Sequence, residues 1–186
     1  MSERITISDI AGFCPEEAVW KLLADVSQAA IEGATCTLTP SSVVCDGDSF
    51  IIEKSQDAGG FSAPEVQEHT AVGEAQMVWS LGALAYFSAT GRQLFGGRGS
   101  AYQREHPSVA LPGMPKGFQR TASLVRACLD INPEKRPCMK DICEHAQKGL
   151  DSCKTQDFEH KGTKPFNLKS PSDTLGDKWP EKMIEV

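Results

Sequence analysis

No run in this 186-residue chain approaches the roughly 18 consecutive apolar residues that a membrane-spanning helix requires. The opening segment, MSERITISDIAG, lacks a basic stretch followed by an apolar one, so no secretory signal is expected. Paired cysteine spacing is missing too. The seven cysteines (14, 36, 45, 128, 138, 143 and 153) are odd in number and contain no CxxC. This argues against a secreted disulfide framework and a four-cysteine zinc site. Most are expected to be buried small hydrophobes in a reducing compartment, which gives a cytoplasmic location as the working expectation. The four histidines are scattered, and Cys143 and His145 lie too close in sequence to share a helix face. Neither a metal nor a cofactor is expected.

What is present is a core-forming composition with a lopsided charge. Hydrophobic residues make up 40 % of the chain, enough for one domain. Residues 1–74 carry 13 acidic and 3 basic side chains, whereas residues 75–150 carry 5 acidic and 10 basic. The first half would repel nucleic acid and attract a basic protein segment. A solvated acidic face that keeps the chain soluble is the plainer reading of the same charges.

Periodicity sets out the elements. CPEEAVWKLLADVSQAAIEG reads as a helix, with Pro15 and two glutamates at its start and Gly33 past its end. SVVC and SFIIE, joined by Asp46-Gly47-Asp48, read as a hairpin. AQMVWSLGALAYFSA (75–89) is apolar on almost every face, which predicts a central helix. Residues 91–117 read as a long connection without regular structure. Helices are expected again over 118–130 and 139–148, with Gly149 as a stop. The domain is drawn as 1–150. Residues 151–186 are drawn as a polar, flexible tail whose spaced apolar residues (Phe166, Leu168, Leu175, Trp179, Met183) could dock elsewhere.

Four landmarks occur in this order: CTLTPSSVV before the hairpin, Ala63-Pro64-Glu65, VWSLGALAYFSATGRQLF, and LVRACLDINPEKRP. Together they resemble the catalytic loop, APE motif, central helix and closing arginine motif of a eukaryotic protein-kinase C-lobe. Only 35 residues precede CTLTP, with neither a glycine-rich phosphate loop nor a V-A-I-K strand. That combination looks like the KIND family, the kinase non-catalytic C-lobe domain. The resemblance implies a mainly α single domain with a small β-hairpin. It also implies a protein-interaction role, as in Spire-type actin nucleators, where the partner is a basic formin tail, and thus a scaffold or adaptor of the cytoskeletal kind.

The resemblance further implies what has been lost. Thr37 stands where a kinase has its catalytic aspartate, Thr39 where it has lysine, and Ser42 where it has the metal-binding asparagine. Thr35 and Cys36 replace the preceding histidine and arginine, Glu53-Lys54-Ser55 replaces DFG, and Met77 replaces the aspartate of DVWSLG. Losing a general base alone typically costs about 10²–10⁴-fold. Phosphoryl transfer depends on positioning, lysine and metal together, so no enzyme activity and no small-molecule substrate are expected. The alternative is a divergent nucleotide-binding or phosphotransfer enzyme completed by a partner chain. Glu65 and Arg136 occupy the positions of a structural ion pair, and Trp79, Leu81 and Leu84 the central core. Glu16, Glu17, Asp25 and Glu32, on or near the first helix, are the candidate partner-binding acids.

Two other patterns carry little. Gly96-Gly97-Arg98-Gly99 lacks the strand and lysine of a phosphate loop, and Asp46 and Asp48 lack the remaining ligands of a calcium loop.

Overall fold

A computed structural model describes residues 5–53, 59–66, 73–96 and 100–159. The expectations placed on Lys54 and Ser55, on Gly97 to Gly99 and on the five apolar anchors beyond 160 lie outside these residues. The fold is mainly helical, with a three-stranded antiparallel sheet.

The first long helix, α2 (Glu16–Ile31), follows a single helical turn, α1 (Ile7–Ile10). Pro15 is the α2 cap residue, and Glu16 and Glu17 sit in the positive first turn. Val19, Leu22, Leu23 and Val26 are completely buried, so the apolar stripe is the core face. Helix α3 (Glu74–Thr90) occupies the centre. Twelve of its residues are buried, including Trp79, Leu81 and Leu84. It ends at Gly91, whose φ of 67° lets its N–H return to the Phe87 carbonyl at 2.7 Å.

Strands β2 (Val43–Asp46) and β3 (Ser49–Ile52) form the expected hairpin, with Asp46 opposite Ser49 and Gly47 at φ 60°. A strand not expected from sequence, β1 (Ile5–Thr6), adds to the other edge of β2, with Ile5 opposite Cys45 and Thr6 opposite Val44. From there the N-terminal segment crosses the domain. Ile7 and Ile10 are buried, the Ser8 N–H donates to the Pro40 carbonyl at 3.3 Å, and the Gly12 N–H donates to the Ser88 carbonyl at 2.8 Å. A Cβ on Gly12 would lie 3.2 Å from Gly91 N, so the two glycines bring backbone against backbone.

Two expectations need correction. Residues 91–117 contain a short helix, α4 (Ser100–Glu105), because Gln103 on it is fully buried and bonded at both ends of its amide. After α5 (Gln119–Cys128), the last helix, α6 (Met139–Glu159), does not stop at Gly149. That glycine is interior, buried against the Trp20 indole, with Leu150 buried just after it and Cys153 packed on the core. The break drawn at residue 150 therefore falls inside α6. Among the described residues no helix is long and apolar enough to cross a membrane.

The cysteines also differ from expectation. Only Cys14 and Cys128 are buried, Cys138 is exposed, and the other four are half-buried; all seven are free thiols.

Candidate functional site

Residues 35–42 form a turn that is closed by its own hydroxyls. Ser42 Oγ accepts the Thr39 N–H at 2.8 Å and donates to the Thr39 carbonyl at 3.0 Å. Thr39 Oγ1 meets Ser41 Oγ at 3.1 Å. Thr39 is 4 % and Ser42 1 % exposed, so these two hydroxyls are buried and their bonds offset the cost of burial, while Ser41 lies on the exposed side of the turn. Thr37 lies two residues before it and is half-buried. Glu53 joins through its backbone, donating its N–H to the Ser42 carbonyl at 2.7 Å, while its side chain is exposed. Three of the four positions singled out in this region thus meet at the mouth of the hairpin. The one-turn helix α1 lies over the same turn through the Ser8–Pro40 bond.

Glu65 and Arg136 form a bidentate pair. Arg136 Nη1 reaches Glu65 Oε1 at 2.5 Å and Nη2 reaches Oε2 at 2.8 Å. The guanidinium is fully buried and the Glu65 side chain is 26 % exposed. Arg136 also donates to the carbonyls of Ala75 at 2.8 Å and Asp130 at 2.8 Å. A 3-10 turn (Pro133–Lys135), capped by Asn132 Oδ1 on the Glu134 N–H at 3.0 Å, sets the arginine in place. Arg104 on α4 holds the same segment from another side, donating from Nε and Nη2 to the Pro64 carbonyl.

Trp79 is completely buried and donates its indole N–H to Gln103 Oε1 at 2.8 Å; the Gln103 amide then donates to the Leu129 carbonyl at 2.6 Å. Sequence reasoning missed Gln103, Arg104 and their helix, and no local pattern marks them. Met77 is buried and lines a cleft of about 270 Å³ with Ala34 and Thr35, the residues that lead into the turn.

The four candidate acids do not form one surface. Glu17, Asp25 and Glu32 fall along one stripe of α2 with Lys21 and Gln28, whereas Glu16 points elsewhere and accepts the Thr121 hydroxyl at 2.7 Å. Asp25 is committed twice, to Lys21 at 2.6 Å and to the Phe50 N–H at 2.9 Å. The second bond covers an outward-facing donor of edge strand β3. Glu17 is half-buried, and Glu32 is exposed and accepts from the Gln28 amide at 2.8 Å. The i,i+4 spacing of Glu17, Lys21 and Asp25 was legible in the sequence and marks Lys21 as a cation within the stripe.

Burial raises the thiols of the core. Cys14 is pushed up to about 12, first by burial and then by the neighbouring Cys45. Cys45 rises to about 11 by burial and the nearby Asp9. Burial carries Cys128 to about 12 despite the opposing charge of Arg136, and it raises Cys36 as well. These are poor nucleophiles. Among the described residues no group of three or more His, Cys, Asp or Glu side chains is placed to hold a metal.

No protein-family model matches the chain, and no curated protein matches it.

Proposed function

We infer that this chain is a non-catalytic protein-interaction module of the KIND type, a kinase C-lobe-like scaffold working inside the cell on a basic segment of another protein. The observation that carries the reading is the closed turn at Thr39–Ser42. The positions where a kinase keeps its lysine and its metal-binding asparagine hold buried hydroxyls whose hydrogen bonds are spent within the turn. A hydroxyl so engaged offers neither a base near neutral pH nor the charge that phosphoryl transfer needs. Two further features support the kinase-like scaffold: the bidentate Glu65–Arg136 pair and the apolar α3 at the centre. The excess of acid in residues 1–74 supports a basic partner.

Calorimetric titration of the full chain tests both halves of this reading. Magnesium ATP should release no saturable heat. An arginine- and lysine-rich peptide should bind with an affinity that falls as salt rises and falls again in the double variant Glu17→Lys/Glu32→Lys. Saturable ATP binding, or phosphate transfer to any protein substrate, would sink the non-catalytic assignment. Peptide binding that is indifferent to salt would remove the basic-partner assignment alone.

A further inference from the structure

The outer face of α5 sets one serine between two arginines. Arg120, Ser123 and Arg126 are exposed at three-residue spacing, while Thr121, Ala122, Leu124 and Val125 between them are buried. The three therefore share one solvent-facing stripe of the helix. Ser123 Oγ donates to the Gln119 carbonyl at 3.0 Å. Among the described residues neither arginine is in an ion pair, and no acid occurs in the sequence from His106 to Leu129. Glu16, which touches α5, does so through the Thr121 hydroxyl on the opposite side of the helix.

The sequence sets Ser123 apart from every other hydroxyl of the chain. Of all the serines and threonines, it alone has an arginine three residues ahead of it. Protein kinases discriminate substrates by charge pattern, and those with an acidic substrate groove read a guanidinium placed this way. A kinase takes its substrate extended, so the first turns of α5 must open to be modified. That end of the helix is weakly fixed. Its cap residue, Phe118, makes no side-chain cap bond, no acid stands in its first turn, and residues 112–117 ahead of it form no regular element. Of the residues that must leave the core, Ala122 and Leu124 stand at its edge, 6 % and 9 % exposed.

Once the helix closes again, the second arginine acts. Helical side chains lean toward the N-terminus, so Arg126 is directed back over the Ser123 position. An acidic group one turn before a basic one is also the favoured order along a helix. A phosphoserine carries about −1.5 to −2 charge at neutral pH, which turns this face from basic to nearly neutral.

We propose that Ser123 is a phosphorylation site for a kinase that selects basic residues, with Arg120 the charge it recognises and Arg126 the group that holds the phosphate. In the transfer, Ser123 Oγ attacks the γ-phosphorus of ATP on that kinase, the bond to the ADP oxygen breaks, and the hydroxyl proton passes to the kinase's own base. The chain is the substrate here, and the inference is independent of the basic-partner reading.

The full chain, incubated folded with cyclic-AMP-dependent protein kinase and magnesium ATP, tests it, with mass spectrometry giving stoichiometry and position. Ser123 should take up one phosphate, and Ser123→Ala should remove that phosphate. Arg120→Gln should slow the uptake by at least about tenfold, whereas Arg126→Gln should leave the rate unchanged. Phosphorylation should then lower the melting temperature less in the wild type than in Arg126→Gln. Circular dichroism checks that each variant keeps its helices. A folded chain that takes no phosphate at Ser123 overturns the proposal. Equal slowing by both arginine variants would mean that opening of α5, not Arg120, governs access, and overturns the recognition role. Equal shifts in melting temperature overturn the role of Arg126.

Discussion

Trp20 on α2 packs directly onto the backbone of α6 at Gly149. A Cβ added to Gly149 would lie 2.3 Å from Cδ2 and 2.5 Å from Cε2 of the indole. Helix interiors disfavour glycine by about 1 kcal/mol relative to alanine, so the residue is retained here for space. The indole then lies only 4 % exposed beneath the last helix.

Gly149→Ala should accordingly destabilise the protein although it improves helix propensity. Overpacking typically costs about 1–3 kcal/mol, and the ring is too rigid to yield. Urea unfolding followed by circular dichroism should show the loss, and Trp20→Leu in the same chain should recover part of it. A stabilised Gly149→Ala variant would mean that the indole moves freely.

The Glu65–Arg136 pair should respond unequally to its two partners. Arg136→Met strips the Ala75 and Asp130 carbonyls as well as Glu65 of a donor, and about 3–5 kcal/mol is expected. Glu65→Gln keeps the shape and one acceptor at a site with 26 % exposure, so its cost should be smaller. Equal losses in the two variants would show that the arginine's backbone bonds contribute little.

Gln103→Leu should cost more than its small change in volume suggests. It leaves the Trp79 indole N–H and the Leu129 carbonyl without partners inside the core, each worth about 1–3 kcal/mol. Gln103→Glu should be worse near neutral pH, because a carboxylate cannot donate to Leu129 and is charged where Gln103 is fully buried. Chemical denaturation of both variants gives the order.

The raised thiols fix the sign of an alkaline effect. Cys128 moves from its ordinary value of 9.0 to about 12, so the folded state holds this proton more tightly than the unfolded chain. The associated stability is fully present below pH 9.0 and is lost as pH rises toward 12. Thermal unfolding should show the melting temperature falling above pH 9, and less steeply in Cys14→Ala/Cys128→Ala. In native protein a disulfide reagent should modify the exposed Cys138 first and Cys14 and Cys128 last.

The elements that were legible in the sequence are those whose information is local. The apolar stripe of α2, the Asp-Gly hairpin and the apolar run of α3 each declare themselves within a short window. Strand β1 did not, because two residues make a strand only when Val44 and Cys45 are there to pair with them. Helix α4 depends on the Gln103 amide finding Trp79 and Leu129, and Gly149 looked like a helix stop because Trp20 is remote in sequence. At the turn, the positions of Thr39 and Ser42 could be named, but their mutual bonds could not. Glu16 read as a surface acid because Thr121 lies 105 residues away.

The distant partners of α2 bear on how the chain comes together during synthesis. Its N-terminal end is held by Thr121 and its second turn packs on Gly149 through Trp20, while Gly12 ahead of it rests on Gly91. Although α2 leaves the ribosome well before α6, it has no complete surface to bury against until α6 has emerged. Closure of these large loops must precede any gain from the contacts they make. Folding should therefore be a late, single event after nearly all of the domain has been made, and a chain halted before residue 149 would present the Trp20 indole to whatever binds nascent apolar segments.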